Sequence, residues 1–359
     1  SVTWMVLVNS NRRSAKVDLP WSIWASKLIH CSNYFNIDLQ EQVAEKLVEH
    51  SGLEAVFFCN SGLEANECAI KIARKFGHAK GIEVPNIIVL KHAFHGRSIA
   101  TLSATGNPSV REDFSPYTEG FIFVDESDLD GIRKIVEENK NVVAIFFEPI
   151  LGEGGVVPVD LSVIKGIREI CDEHDLLMMC DEVQYGMGRS GKWFAHQWAE
   201  IKPDVITMAK GLAGGVPVGA VVVSKKANIF KPGNHGSTFG GNPLAMRAAL
   251  ETLSIIEDET LVENALAVGK KIKKALSKSL NGFPGVRGIR GKGLMLGIVL
   301  DRDAHDILEL GLKAGLTFSV TAGNVIRLVP ALTITKAEAD ELVKRITPVI
   351  RSFLAQPKI

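Results

Sequence analysis

The chain has 359 residues, 46 % of them hydrophobic and 23 % charged; this excludes long disordered stretches and allows two or three domains at about 100–200 residues each. Lys plus Arg total 41 and Asp plus Glu total 41, so no basic excess exists to neutralise a nucleic-acid backbone. The longest apolar runs, such as Val142–Phe147, fall far short of the roughly 20 residues of a membrane span, and five scattered cysteines without a CxxC pair fit free thiols in a reducing compartment better than a disulfide framework.

At the N-terminus Val2–Val8 is apolar, but its basic residues follow it, the reverse of a secretory signal. A cytoplasmic protein is expected. Short runs of strand length then recur: Ala55–Cys59, Asn86–Leu90, Gly120–Val124, Val142–Phe147, Leu176–Cys180, Asp204–Met208 and Gly219–Val223. Helix-like segments lie between several of them, at Glu64–Phe76, Leu129–Asn139 and Ser162–His174. Strand alternating with helix predicts an α/β fold with a mostly parallel sheet covered on both faces. After Pro243 the texture changes. Leu244–Glu257 and Leu261–Leu280 read as long helices, Gly282–Gly297 is rich in glycine, Leu294–Leu300 reads as a strand, and helices follow near Ala304–Ala314 and Lys336–Leu354. The expected division is an atypical N-terminal segment over 1–24, a large domain over 25–243, and a linking helix with a small α+β domain over 244–359.

In such sheets ligands bind beyond the carboxyl ends of the strands, so the residues there carry the chemistry. The first run leads into Asn60-Ser61-Gly62-Leu63-Glu64, a small turn at a helix N-terminus that can hold an anion or simply cap the helix through Ser61 and Glu64. The second leads into His92-Ala93-Phe94-His95-Gly96-Arg97. His92 and His95 have a metal-like spacing, but no compact set of further ligands accompanies them, so no metal is assigned; Phe94 reads either as a plate against a ligand or as a core aromatic. Asp181-Glu182-Val183-Gln184 follows the fifth run and Lys210 the sixth. Each has a bland alternative, a solvated acidic turn and a surface lysine. His235–Pro243, dense in glycine and hydroxyls, suits contact with a phosphate or a partner backbone, or is a flexible loop. Together these are the parts that pyridoxal 5′-phosphate needs: a phosphate cup, an aromatic plate, a carboxylate for the ring nitrogen and a lysine for the aldehyde. The glycines of Gly291–Gly297 are off the dinucleotide spacing by one and precede a strand, so that reading is rejected.

From about Ala25 onward the sequence resembles the class III, fold-type I aminotransferases, most closely the acetylornithine aminotransferase group. The resemblance rests on six motifs in order: Asn60–Glu67, Phe94–Arg97, Glu148–Gly155, Asp181–Gln184, Ala209–Gly211 and Ser237–Pro243. It implies a homodimer with shared active sites. It also implies transfer of the terminal amino group of N-acetylornithine to 2-oxoglutarate, a step of arginine biosynthesis. Ornithine, succinylornithine, 4-aminobutyrate and carrier-bound lysine are the alternative donors. Lys210 would bind the cofactor covalently and shuttle the proton, and Asp181 would hold the ring nitrogen. Gln184 would meet the phenolic oxygen, with Val183 and Phe94 on the two ring faces. Ser61, Gly62 and Leu63 would bind the phosphate, and Thr238 the phosphate of the partner's cofactor, with Ser237 beside the substrate. Arg97 and Arg327 would hold substrate carboxylates, Glu153 masking Arg327. Leu63 and Leu151 replace Thr or Ala and Gln, respectively. Ser1–Trp24 lacks the family's Gly-His-x-His-Pro stretch; a truncated cofactor-binding protein without turnover is therefore a second alternative.

Overall fold

A computed structural model describes residues 26–357. The segment 1–24, set apart on sequence grounds, lies outside the described residues. Seven strands form the main sheet: β1 (Ala55–Cys59), β2 (Asn86–Leu90), β3 (Phe121–Val124), β4 (Val142–Phe147), β7 (Leu177–Asp181), β8 (Val205–Met208) and β9 (Gly219–Val223), in the spatial order β1-β9-β8-β7-β4-β2-β3. All neighbours from β8 to β3 pair in parallel. Strand β9 is antiparallel to both β8 and β1. The carboxyl ends of β1, β2, β4, β7 and β8 therefore open on one edge. A two-stranded ribbon, β5 (Ile150–Leu151) with β6 (Val157–Pro158), lies just beyond β4.

Central strands are apolar on both faces because helices cover both. Every residue of β4 is buried. Its Phe146 packs into the core under the helix Gly62–Ala79, while Ile145 and Phe147 pack into the core under Leu129–Glu138 and Leu161–Glu173. A third apolar cluster joins the sheet to the helices Asp38–Ser51 and Pro243–Asp258. The second of these is the helix expected to link the two parts of the chain. Its Ala245, Met246, Ala249 and Leu253 pack with Phe58, Ile206 and Met208 of the main sheet.

A second sheet, β10 (Val286–Lys292), β11 (Met295–Leu300), β13 (Val325–Leu328) and β12 (Ser319–Thr321), is antiparallel throughout. It packs against the helices Leu261–Leu280 and Lys336–Ala355. The glycine-rich stretch becomes β10 and a tight hairpin, with Lys292 opposite Met295. Arg189, from the main-sheet side, donates to the carbonyls of Leu294 and Pro330 and ties the two sheets together. No helix among the described residues is long and apolar enough to cross a membrane.

Candidate active site

Asp181 is the last residue of β7, one position beyond the expected strand end, and is 2 % exposed. Its Oδ1 accepts from Val183 N at 3.0 Å, while Oδ2 accepts from Asn66 Nδ2 at 2.8 Å and lies 2.8 Å from His95 Nδ1. Asn66 Nδ2 also donates to the His95 carbonyl at 2.7 Å, and the His95 ring stacks on Phe146 at 4.0 Å. Asp181 is thus a buried carboxylate aimed by three donors, not the solvated turn that was the bland alternative. The two histidines of the metal-like spacing have separate surroundings: His95 is buried on Asp181, and exposed His92 meets Glu126 at 2.9 Å.

Lys210 opens a single 3₁₀ turn after β8 with φ of 41°, a left-handed backbone that a non-glycine residue holds only under tertiary constraint. Burial lowers its amine from 10.5 to about 8, with Asp181, Glu153 and Glu148 opposing that shift and Arg327 adding to it. The lysine therefore shares one electrostatic neighbourhood with all four residues, although they come from the ends of four strands or the turns beside them.

At the end of β1, Ser61 is the N-cap of the helix Gly62–Ala79, its Oγ accepting from Glu64 N at 3.2 Å. Glu64 returns its carboxylate to Asn60 N at 2.6 Å, so the capping reading holds with Asn60 as the second partner. The cap leaves the N–H groups of Gly62 and Leu63 without intrahelical partners, as in the first turn of any helix. Gly62 is needed for space: a Cβ there would lie 2.7 Å from Val183 Cγ1. The helix start and the turn after β7 consequently touch. Phe94 is half-buried, belongs to none of the apolar clusters, and carries the Arg97 guanidinium 5.8 Å from its ring centre.

Across the cleft, Arg327 of β13 is 3 % exposed and pairs through Nη1 with Glu153 Oε1 at 2.7 Å. Gln184 joins them, its Oε1 accepting from Arg327 Nη1 at 3.3 Å and its Nε2 donating to Glu153 Oε1 at 3.3 Å. Behind this group Glu148 and Tyr185 are both buried. Burial, then the charge of Asp181, pushes the Glu148 carboxyl up to about 8, and burial with Glu148 pushes the Tyr185 phenol well above its usual value.

The expected residues do not all converge. Ser237 hydrogen-bonds Asn60 Nδ2 at 3.1 Å beside the helix cap, and Thr238 and Arg97 are exposed. Asn66, His95, Glu148 and Tyr185 were not among the expected site residues. His95 stood out only for its spacing from His92, and nothing in its neighbours points to a carboxylate 86 positions on.

This set fits pyridoxal phosphate on chemical grounds. It offers an amine that is partly neutral near pH 8, a buried carboxylate, a helix start brought against Val183, and a half-buried aromatic ring. The sequence pattern of the family Aminotransferase class-III matches residues 23–350. The acetylornithine aminotransferase of Nitrosomonas europaea is 48 % identical over 330 residues, covering 92 % of this chain and 84 % of that protein. That of a Synechocystis strain is 42 % identical, covering 91 % and 79 %. Among solved structures, the ornithine aminotransferase of Toxoplasma gondii superposes with a TM-score of 0.90 at 32 % identity, covering 94 % of this chain and 82 % of that one; a second structure of that enzyme holds PLP at partial occupancy in its active site. The N-acetylornithine aminotransferase of Stenotrophomonas maltophilia gives 0.82 at 34 % identity, covering 96 % and 87 %. With its family pattern running through nearly the whole length, the chain belongs to the class-III aminotransferases, a family of pyridoxal-phosphate-dependent enzymes.

Proposed function

We propose that the chain moves the terminal amino group of N-acetylornithine to 2-oxoglutarate, giving the semialdehyde and glutamate. The observation that carries this reading is the buried Arg327–Glu153 pair at 2.7 Å. A donor with a distal amine and an acceptor with a carboxylate next to its reacting carbon must use one site in turn. An arginine covered by a carboxylate in one half-reaction and uncovered in the other serves both. The relatives named acetylornithine aminotransferase support the same donor.

Pyridoxal phosphate, when bound, supplies the electron sink for the carbanion formed at the amine-bearing carbon. The chain's own residues do the rest. Lys210 Nζ, kept partly neutral by burial, would take the proton from that carbon and deliver it to C4′ of the cofactor. Asp181, held by Asn66 and His95, would pair with the pyridine nitrogen. Gln184 would serve the phenolic oxygen, Val183 and Phe94 would lie on the two faces of the ring, and Ser61 with the N–H groups of Gly62 and Leu63 would hold the phosphate. Arg97 binds the carboxylate at the far end of the substrate.

The site is shared in a homodimer, with Thr238 reaching the partner's phosphate and Ser237 beside its substrate. Exposed apolar side chains support this reading: Tyr34 is 97 %, Phe35 71 % and Phe239 57 % exposed, an unusual patch for a free surface. Phe239 lies in the Ser237–Gly241 turn, to which Gln40 and Asn33, the residue before Tyr34 and Phe35, bind. The reaction belongs in the cytoplasm, a reading that the free cysteines Cys31, Cys59, Cys68, Cys171 and Cys180 support.

A single-turnover assay over N-acetylornithine, ornithine, succinylornithine, 4-aminobutyrate and a carrier-bound lysine tests the donor. N-acetylornithine should be converted with the highest kcat/KM. A higher value for another donor refutes the donor, and no conversion of any of them refutes turnover by this chain.

A further inference from the structure

Beside these groups runs a chain of three hydrogen bonds, two buried and one part-buried, that the reaction above does not use. Gly152 N donates to Tyr185 Oη at 2.6 Å, the Tyr185 hydroxyl donates to Glu148 Oε1 at 2.6 Å, and Glu148 Oε2 accepts from Phe94 N at 2.8 Å. Tyr185 is fully buried and Glu148 is 1 % exposed. Side chains from just beyond β7 and β4 thereby join two backbone segments, the turn before Glu153 and the loop that carries Phe94. From the opposite side, the Thr321 hydroxyl on β12 donates to the carbonyls of Gly152 and Glu153. One sheet holds the turn by its N–H and the other by its carbonyls. The fit is close: a Cβ at position 152 would lie 2.4 Å from the Tyr185 hydroxyl oxygen.

With its backbone held this way, Glu153 can uncover Arg327 only by rotating its side chain, and it returns to the same place. A loosened turn would let the carboxylate drift from the guanidinium, which would then stay open to the carboxylate beside an α-amino group. Polar groups buried in such a chain are expensive to leave unpaired, so the arrangement resists drift.

We propose that the Gly152–Tyr185–Glu148–Phe94 relay is a positioning device that sets the preference for a terminal over an α-amino group, by fixing the Glu153 backbone against Arg327. The proposal rests on the Glu153–Arg327 reading given above.

Tyr185→Phe removes the hydroxyl and keeps the ring. In the cofactor-loaded enzyme, the ratio of kcat/KM for the N-acetylornithine half-reaction to that for the glutamate half-reaction should fall about tenfold, the scale of one buried hydrogen bond. Glu153→Ala should lower the ratio at least as far. Adding Tyr185→Phe to Glu153→Ala should lower it no further, because the tyrosine acts through Glu153. Glu148→Gln should lower it in the same direction and carries the test if Tyr185→Phe does not fold. In the cofactor-free protein, amide exchange over residues 150–156 should be faster in Tyr185→Phe. An unchanged ratio or unchanged exchange in Tyr185→Phe, or an additive fall in the double variant, overturns the relay and leaves the switch standing. An unchanged ratio in Glu153→Ala overturns the switch and the relay with it.

Discussion

Lys210 carries a stability penalty that can be measured without any substrate. Burial lowers its amine from 10.5 to about 8, so below pH 8 the folded protein must hold an ammonium that the unfolded chain keeps in water. The penalty is complete below pH 8, shrinks as pH rises from 8 to 10.5, and is absent above, where both states are neutral. Each pKa unit is worth about 1.4 kcal/mol, which gives an upper bound of about 3.5 kcal/mol. Lys210 keeps partial exposure to solvent, which reduces it. Lys210→Met keeps the length of the side chain and removes the charge. In urea denaturation of the cofactor-free proteins at a series of pH values, the variant should be the more stable by about 1–3 kcal/mol at pH 7. The two curves should meet above pH 10.5. Using the difference between variant and wild type removes from the comparison the titration of groups that do not interact with Lys210. A variant no more stable than wild type at pH 7, or a gap that does not close with rising pH, would refute the claim that the lysine is held desolvated.

Two further expectations concern the site and its sharing. Asp181→Asn should leave the fold intact and lower turnover far more than cofactor affinity, because a charge-assisted bond of about 1.5–3 kcal/mol is lost where charge develops; wild-type turnover would remove the role. Lys210→Ala and Thr238→Glu should each be inactive alone, the second because its carboxylate repels the partner's phosphate. Random mixed dimers should recover roughly a quarter of wild-type activity, since one of the two sites in each mixed dimer escapes both lesions; no recovery, with mixed dimers demonstrated by mass spectrometry, would mean that Thr238 does not serve the partner's site.

Much of this architecture is readable along the chain. The strand runs are apolar over five or so residues, and their order with the helices gives the parallel sheet. Lys210 and Asp181 stand out because they end buried runs. What the sequence leaves open is long-range pairing between polar groups. Asn66 and His95 reach Asp181 from 115 and 86 positions away, and Tyr185 meets Glu148 and Gly152 from 37 and 33. No local pattern marks such partners, because each is a common polar residue in an ordinary turn or helix. The helix Asp38–Ser51 is a different kind of omission. Its buried Leu39, Val43 and Leu47 recur every four residues, a periodicity present in the sequence but not assigned above. The glycine-rich stretch before β11 carries no strand signal in its composition, yet tertiary pairing with β11 makes it strand β10, as strand preference commonly yields to context.

The placement of β9 between β8 and β1 turns the main sheet into a ruler. Neighbouring strands stand about 4.8 Å apart whatever their side chains, because backbone hydrogen bonds set the spacing. The strand bearing the carboxylate is thus one interval from the strand that leads to the lysine, and that strand is two intervals, about 10 Å, from the one that leads to the turn at Ser61. Strand β9 runs the opposite way, so it supplies width to the crevice without adding a carboxyl-end loop of its own to crowd it. Substitutions along β9 can alter packing but not that width. Removal of the strand would close the gap, and no change of side chains elsewhere in the sheet could reopen it.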